Sequence, residues 1–237
     1  MARQRPHKDE LLERFTLQER LQHWLLLLSL TVLALTGFAL FAHGTWIGRV
    51  LLRLEGGMAA RGTLHRIFAV VLMVLAVWHL GYVLFSARGR EQLRALVFRK
   101  EDAVAFRQLL AYYLGKRREL PEFGRFTPMQ KLQYWGAGLG SLLMIATGLV
   151  LWFHTKAMAV VPKWFFDVTN IVHGYEGLLL FGLLFVWHVY IVHLSPGHLP
   201  INRAFWSGKI TAGELYREHR LEYRELFGDL PPEGYEE

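Results

Sequence analysis

The sequence predicts an all-α membrane protein built as a bundle of four transmembrane helices. Of its 237 residues, 53% are hydrophobic, a fraction too high for an ordinary soluble domain of this size. The apolar residues concentrate in four runs, each close to or above the roughly 18 to 20 residues that a helix needs to cross a bilayer. Only helices and closed barrels satisfy their backbone in lipid, and runs of this length indicate helices. The runs are Trp24 to Ala42, Ile67 to Phe85, Trp135 to Phe153 and Val168 to Leu194.

Lysine and arginine residues predict the orientation of the bundle. The segments before the first run, between the second and third runs, and after the fourth run contain 21 of them, whereas loops 43–62 and 154–167 contain 5. Because basic residues accumulate on the cytoplasmic side, both termini are expected in the cytoplasm. Basic residues facing anionic lipid also account for the net charge of +7, so no nucleic-acid partner is expected.

The chain divides into three predicted segments. Residues 1–22 form a cytoplasmic N-terminal segment, residues 23–194 the transmembrane domain, and residues 195–237 a cytoplasmic tail that packs on the membrane face or is partly disordered. A surface helix is expected at about 101–114, where apolar residues recur at helical spacing beside charges. The membrane helices are expected at about 22–43, 63–86, 129–153 and 168–194.

An internal repeat relates the two halves of the chain. RFTLQERLQHW at 14–24 recurs as RFTPMQKLQYW at 125–135, and TG at 36–37 recurs as TG at 147–148, both with an offset of 111. After a small slip, WH at 78–79 recurs as WH at 187–188. The repeat predicts two related helical hairpins, duplicated in parallel about an axis along the membrane normal. Within the opening motif, His23 is replaced by Tyr134.

Five of the eleven histidines fall at two depths of the predicted bundle. His65 and His79 are 14 residues apart on the second helix, and His173 and His188 are 15 apart on the fourth, or about 21 and 22 Å. His65 and His173 lie at the outer level, and His79, His188 and His23 at the inner level. A single intramembrane histidine is often only a hydrogen-bonding group or a proton relay. Paired imidazoles at two levels instead predict bis-histidine ligation of two b-type haems.

The other six histidines are expected to be exposed or interfacial, with His193 on a different face of its helix from His188. They are His7, His43, His154, His193, His198 and His219. The chain has no cysteine, which excludes thiolate-held iron–sulfur clusters, disulfides and c-type haem attachment within it.

Four motifs, in order along the chain, resemble the cytochrome b (gamma) subunit of membrane-bound formate dehydrogenases, which is related to the b-type cytochrome subunit of nickel–iron hydrogenases. They are ERLQHW (19–24), TLHRIFAV (63–70), RFTPMQKLQYW (125–135) and IVHGYEG with WHVYIVH (171–193). The similarity extends into the tail at SGKITAGELYREH (207–219). It implies a multi-pass protein of the bacterial inner membrane.

The resemblance implies two haem b groups and their ligands. The inner haem is assigned to His23 with His188, and the outer haem to His65 with His173. His79 is an alternative inner ligand, because a His79–His188 pair resembles the cytochrome b of quinol:cytochrome c oxidoreductases, with two ligands on each of two helices. The 15-residue spacing on the fourth helix exceeds the 14 expected in this family and predicts a bulge or a tilt.

The resemblance also implies the function and the partners. The chain accepts electrons from a periplasmic iron–sulfur (beta) subunit, which is fed by a catalytic (alpha) subunit, and passes them to menaquinone or ubiquinone near the cytoplasmic side. The resemblance is compatible with a higher-order oligomer of the complex, and no residue that oxidises the primary substrate is expected in this chain. The alternatives are the cytochrome b of a hydrogenase, that of a quinol-oxidising sulfur-compound reductase, or a haem-free bundle that relays protons through histidines.

Three further residues are candidates for cofactor or quinone binding. Arg66, beside His65, is placed to pair with a haem propionate, although an interfacial arginine that snorkels to the headgroups explains it equally well. Thr127 and Gln130 stand at the start of the third helix, where the family places polar residues near its quinone site. The competing interpretation is that Thr127 caps this helix and Gln130 is solvated.

Overall fold

The computed structural model describes residues 4–194 and 202–235. Helices dominate these residues, and four of them are long and apolar enough to cross a membrane, as the sequence predicts. All four end within two residues of the expected positions, whereas three of them begin five residues earlier than expected. The spans are α1 (Leu17–Phe41), α3 (Met58–Phe85), α6 (Pro128–Trp152) and the continuous stretch Lys163–Leu194, which begins as α8 (Lys163–Phe181).

Shorter elements connect and follow the spans. The helices are α2 (Trp46–Leu54), α4 (Ala87–Leu96), α5 (Lys100–Tyr113), α7 (His154–Met158), α9 (Ala204–Ser207), α10 (Ala212–Glu218) and α11 (Arg220–Phe227). The fold is not wholly helical, because β1 (Leu11–Glu13) pairs antiparallel with β2 (Lys209–Thr211), with Leu12 opposite Ile210. This small sheet satisfies the backbone of two polar segments that lack helical patterning.

Two of the spans begin with the same device, supplied by the repeated opening motif. At α1, Oγ1 of Thr16 accepts from the Glu19 backbone N–H at 3.3 Å, and Glu19 Oε2 accepts from the Thr16 N–H at 2.7 Å. At α6, Thr127 and Gln130 make the equivalent pair of bonds at 3.2 and 3.0 Å. Each is a capping box, which starts a helix in polar sequence. This is why α1 begins at residue 17, ahead of its apolar run.

The fourth span changes its helical type part of the way along. After α8 the chain continues as π-helix over Gly182–His188 and again over Tyr190–Leu194. A π-helix bonds residue i to residue i+5 and so holds more residues per turn than an α-helix. The extra residue between His173 and His188 is taken up there, and the predicted bulge is this π-helical segment.

Contacts divide the chain into two units. Among the described residues, the bundle unit comprises 21–81 and 135–194, and the polar unit comprises 4–20, 82–134 and 202–235. The N-terminal segment and the tail belong to one unit because β1 pairs with β2 and because Ile210, Leu215, Tyr216 and Tyr223 form an apolar core there.

A buried carboxylate joins the two copies of the opening motif inside the polar unit. Arg14 and Arg125 are the first residues of the two RFT copies, and both guanidinium groups donate to Glu222, Arg14 to Oε2 and Arg125 to Oε1 at 2.8 Å. Arg125 also donates to the Arg14 carbonyl at 3.1 Å, and Arg14 donates to the Arg125 carbonyl. Burial would raise the pKa of Glu222, but Arg14 and Arg125 outweigh it and hold that pKa below its ordinary value. The carboxylate therefore stays ionised between the two repeats.

His219 lies beside this cluster and is buried, with 4% of its surface exposed, whereas the sequence suggested an exposed residue. Its Nδ1 donates to the Gly124 carbonyl at 2.7 Å, and its Nε2 lies 3.3 Å from Nη2 of Arg14. Burial and the neighbouring Arg14 charge lower the pKa of His219 to about 4. The imidazole is therefore neutral in the folded protein and accepts from Arg14.

Acidification from pH 7 to pH 5 is expected to destabilise the polar unit. The pKa of His219 is about 4 in the fold and 6.5 in its ordinary state, so the unfolded chain binds the extra proton first and stability falls as the pH drops through this window. About 2 kcal/mol is lost between pH 7 and pH 5, out of about 3 kcal/mol in full below pH 4. Glu222 contributes only below about pH 4.5, because its pKa is lowered. Limited proteolysis of residues 202–235 at both pH values measures the effect, and a His219→Asn chain that stays equally acid-sensitive contradicts it.

Candidate functional site

The structure brings four of the predicted histidines together as two pairs within the bundle unit. The ring centroids of His65 on α3 and His173 on α8 are 6.4 Å apart, with an interplanar angle of 69°. Those of His23 on α1 and His188 in the π-helical segment are 6.3 Å apart, with an angle of 45°. Two imidazoles that bind one metal ion from opposite sides, each through a bond of about 2 Å, have ring centres about 6 Å apart. Both pairs therefore fit axial ligation of a single metal.

The donor sets fit a metal that brings its own equatorial ligands. Within residues 4–194 and 202–235, no group of three or more histidine or acidic side chains is arranged to hold a bare metal ion. A site with two imidazoles leaves the remaining positions of the metal to be filled by something other than protein. A haem, whose macrocycle supplies four nitrogens, matches this two-ligand arrangement.

The repeated TG dipeptides hold the rings of the His65–His173 pair. Thr36 Oγ1 lies 2.7 Å from Nδ1 of His65 and itself donates to the carbonyl of Val32 at 2.7 Å. The hydroxyl proton is thus committed to the helix backbone, so Thr36 accepts from the Nδ1–H of His65. This bond fixes the tautomer in which Nε2 carries the lone pair that a metal needs.

Thr147 makes the equivalent contacts with its own helix and with His173. Its Oγ1 donates to the Leu143 carbonyl at 2.7 Å and lies 2.9 Å from Nδ1 of His173. The adjacent Gly148 gives the ring room, because a Cβ there would lie 3.2 Å from Cε1 of His173, closer than nearly all real contacts. In the sequence both TG pairs mark the repeat, and their contact with the histidines was not predicted. Their recurrence at one offset in both hairpins was the available signal.

His79 is held by the residue that precedes His23. Its Nδ1 donates to Oε1 of Gln22 at 2.8 Å, and Gln22 is buried, with 7% of its surface exposed. Gln22 was not among the residues singled out from the sequence. One of the contacts of His79 is therefore a polar bond between α3 and α1.

His193 lies close enough to His23 and His188 to interact with both electrostatically. Regular α-helical geometry would place it on a different face of the helix from His188, as predicted from the sequence. The π-helical turns over Gly182–His188 and Tyr190–Leu194 change this, because residues five apart are brought nearer in angle than in an α-helix. His198, expected to be exposed, lies outside the described residues.

The three remaining candidates lie at span ends. Arg66 is exposed, and its guanidinium turns back toward Gly62, one helical turn before it. Arg61 was not singled out from the sequence. It donates to the backbone carbonyl of Thr36 at 2.9 Å and so contacts the residue that bonds to His65. Thr127 and Gln130 belong to the polar unit and bond to each other in the capping box of α6, so the amide of Gln130 is bound to backbone rather than solvated.

Comparison with known proteins places these features in a family. A model of the prokaryotic cytochrome b561 family matches residues 14–202. The chain is 21% identical over 211 residues to the formate dehydrogenase cytochrome b556 subunit of Haemophilus influenzae, covering 87% of this chain and 79% of that protein. It is 19% identical over 220 residues to the cytochrome b556(Fdn) subunit of the nitrate-inducible formate dehydrogenase of Escherichia coli, covering 92% and 93%. The match spans both histidine pairs, and the chain belongs to the prokaryotic cytochrome b561 family.

Proposed function

We propose that the chain is the membrane-anchoring dihaem cytochrome b subunit of a formate dehydrogenase-type complex. Membership of the family makes it a multi-pass inner-membrane electron-transfer protein with haem b. The observation that carries the finer assignment is that two imidazole pairs, each with ring centroids 6.3 to 6.4 Å apart, share the fourth span. Their residues on that span, His173 and His188, are 15 positions apart in the sequence.

In this proposal the His65–His173 pair holds the outer haem and the His23–His188 pair holds the inner haem. Haem b, when bound, supplies a one-electron carrier at each level. The protein's residues fix the imidazoles, and Thr36 and Thr147 keep Nε2 of His65 and His173 available as a ligand. The apolar spans keep water from the pairs and so set the polarity of each site.

Electrons are proposed to enter from an iron–sulfur subunit on the periplasmic side and to leave to a quinone near the cytoplasmic side. The excess of basic residues in the segments that contain both termini supports this orientation. Proton uptake for the quinone from the cytoplasm makes the transfer electrogenic. The names of the two formate dehydrogenase relatives support formate as the substrate of the catalytic partner.

The roles of Arg66, Thr127 and Gln130 stay predictions. Arg66 is proposed to pair with a propionate of the outer haem, supported by its place next to His65 in the sequence. Thr127 and Gln130 are proposed to lie near the quinone site, supported by the resemblance alone. Their capping bonds explain their presence without a quinone.

Purification of the complex from native membranes tests the proposal. We expect about two b-type haems per copy of this chain, a co-purifying iron–sulfur subunit, and haem reduction on addition of formate. Reduction by hydrogen but not by formate would assign the chain to a hydrogenase, and reduction only by quinol would assign it to a quinol-oxidising reductase. A chain without haem would refute every redox assignment.

Replacement of Thr147 by valine is expected to loosen the haem held by the His65–His173 pair. The substitution keeps the shape of the side chain but removes the hydroxyl that accepts from His173 Nδ1. Loss of such an orienting partner typically weakens metal binding 10- to 100-fold. The rate of haem transfer to an acceptor apoprotein measures the effect. Thr169→Val is the matched control, since Thr169 on α8 is buried and its hydroxyl donates to the Phe165 carbonyl. Equal rates in both variants would contradict the assignment.

A further inference from the structure

The amide of Gln22 carries a buried donor that is not satisfied within the described part of the chain. Its Oε1 accepts from His79, while its Nε2 is inaccessible to solvent and has no acceptor among the residues that the structure describes. Leaving a buried donor unpaired costs about 1 to 3 kcal/mol. Because native structures leave few such groups unpaired, an acceptor from a bound molecule is the expected partner.

Gln22 stands at the level of the His23–His188 pair. It precedes His23 on α1, and successive helical residues rise by only about 1.5 Å and turn by about 100°. His23 contacts His188 of the fourth span, whereas Gln22 contacts His79 of α3. The donor therefore lies beside the proposed inner haem, on the side of α1 that faces α3.

His79 determines the orientation of the Gln22 amide. Its Nδ1–H binds Oε1 of Gln22 at 2.8 Å. That bond commits the carbonyl end of the amide to His79 and leaves the Nε2 end to donate elsewhere. His79 thereby acquires a function that does not require it to bind a metal.

We propose that Nε2 of Gln22 donates a hydrogen bond to a carbonyl oxygen of the quinone at the inner level, and that His79 is the positioning residue that orients this amide. The inference rests on the proposed function, which places a quinone near the inner haem. A quinone carbonyl is neutral, and a neutral amide is a suitable donor for it. A haem carboxylate, by contrast, is preferentially bound by arginine or lysine.

The test uses membranes that contain the haem-loaded chain, with menadiol and decylubiquinol as soluble electron donors. The initial rate of haem reduction is measured against quinol concentration. Gln22→Leu is expected to raise the half-saturating concentration about tenfold, as loss of one buried hydrogen bond requires, with the maximal rate changed less than twofold. Gln22→Glu, which keeps the acceptor for His79 but loses the N–H donor, is expected to do the same and serves if the leucine variant fails to insert.

The positioning function of His79 has its own variants. His79→Leu is expected to raise the half-saturating concentration several-fold, because Gln22 loses its orienting bond. His79→Asn, whose amide can donate from nearly the position of Nδ1, is expected to restore the wild-type value. Failure of asparagine to restore it would overturn the positioning function.

Thr31→Val is the matched control, because Thr31 lies on α1 and its hydroxyl already donates to the Leu27 carbonyl at 2.7 Å, and it is expected to change neither parameter. Haem content separates the possible outcomes. A Gln22→Leu chain that loses a haem but keeps its quinol affinity would show that the acceptor is a haem carboxylate and would overturn the proposal. Unchanged haem content and unchanged affinity would overturn it as well. A wild-type chain without haem would refute the proposed function itself.

Discussion

His188→Ala is expected to leave one haem per chain and to abolish electron transfer across the membrane. In the proposed assignment His188 contributes to the inner site whether its partner is His23 or His79, so the expected result does not depend on that choice. The haem proposed at the His65–His173 pair would then remain at one level of a hydrocarbon layer about 30 Å thick. Without the proposed inner carrier, electrons entering on the periplasmic side would have no route to a quinone near the cytoplasmic side.

Haem quantification and quinone reduction, measured on the same membranes, check this expectation. His43→Ala is the matched control, since His43 is an exposed imidazole near the end of α1 and is expected to retain both haems and full activity. A His188→Ala chain that keeps two haems would remove the fourth span from the inner site.

Glu222→Ala is expected to destabilise the polar unit by about 3 to 5 kcal/mol, the usual cost of breaking a buried ion pair by removing one partner. Its carboxylate is the shared acceptor of Arg14 and Arg125, and only 10% of the Glu222 side chain is exposed. The substitution leaves two guanidinium groups close together with no anion between them. Hydrogen exchange of the α11 amides should accelerate by about two to four orders of magnitude.

Glu225→Ala, an exposed glutamate on the same helix, provides the comparison and is expected to change the opening free energy by less than about 0.5 kcal/mol. Glu222→Gln should fall between the two, because an amide keeps the size but not the charge. Equal exchange in the Glu222 and Glu225 variants would show that the arginines are stabilised by their backbone contacts instead.

The membrane spans were predictable because their signal is local. A run of apolar residues reports a span directly, and the starts of α1 and α6 follow from T-x-x-E and T-x-x-Q, which are readable as capping boxes. The outcome was different for the tail. The pairing of β1 with β2 and the burial of His219 depend on residues about 200 positions apart, and three-residue strands carry no periodicity that a sequence pattern reveals.

The histidine pairs could likewise be predicted only in part from the sequence. The levels of His65, His173 and His188 follow from helix length alone, and the structure gives ring separations that suit a shared metal. The positions of His193 and Gln22 did not follow, because π-helical geometry alters the angular relation of residues after Gly182 and because a buried amide has no pattern in a sequence. The contacts of Thr36 and Thr147 could have been predicted, since both threonines recur with their glycines at the same offset in the two halves of the chain.

Haem quantification in His23→Ala and His79→Ala chains distinguishes the two candidate inner ligands. In the proposed assignment, His23 and His188 hold one haem and His65 and His173 hold the other. The proposal predicts about one haem per chain in the His23 variant and two in the His79 variant. This outcome explains why the first opening motif has an imidazole where the second has Tyr134: the fourth span supplies one ligand to each pair, α1 and α3 supply the others, and α6 is left with none. One haem in the His79 variant and two in the His23 variant would contradict the assignment and make His79 the inner ligand.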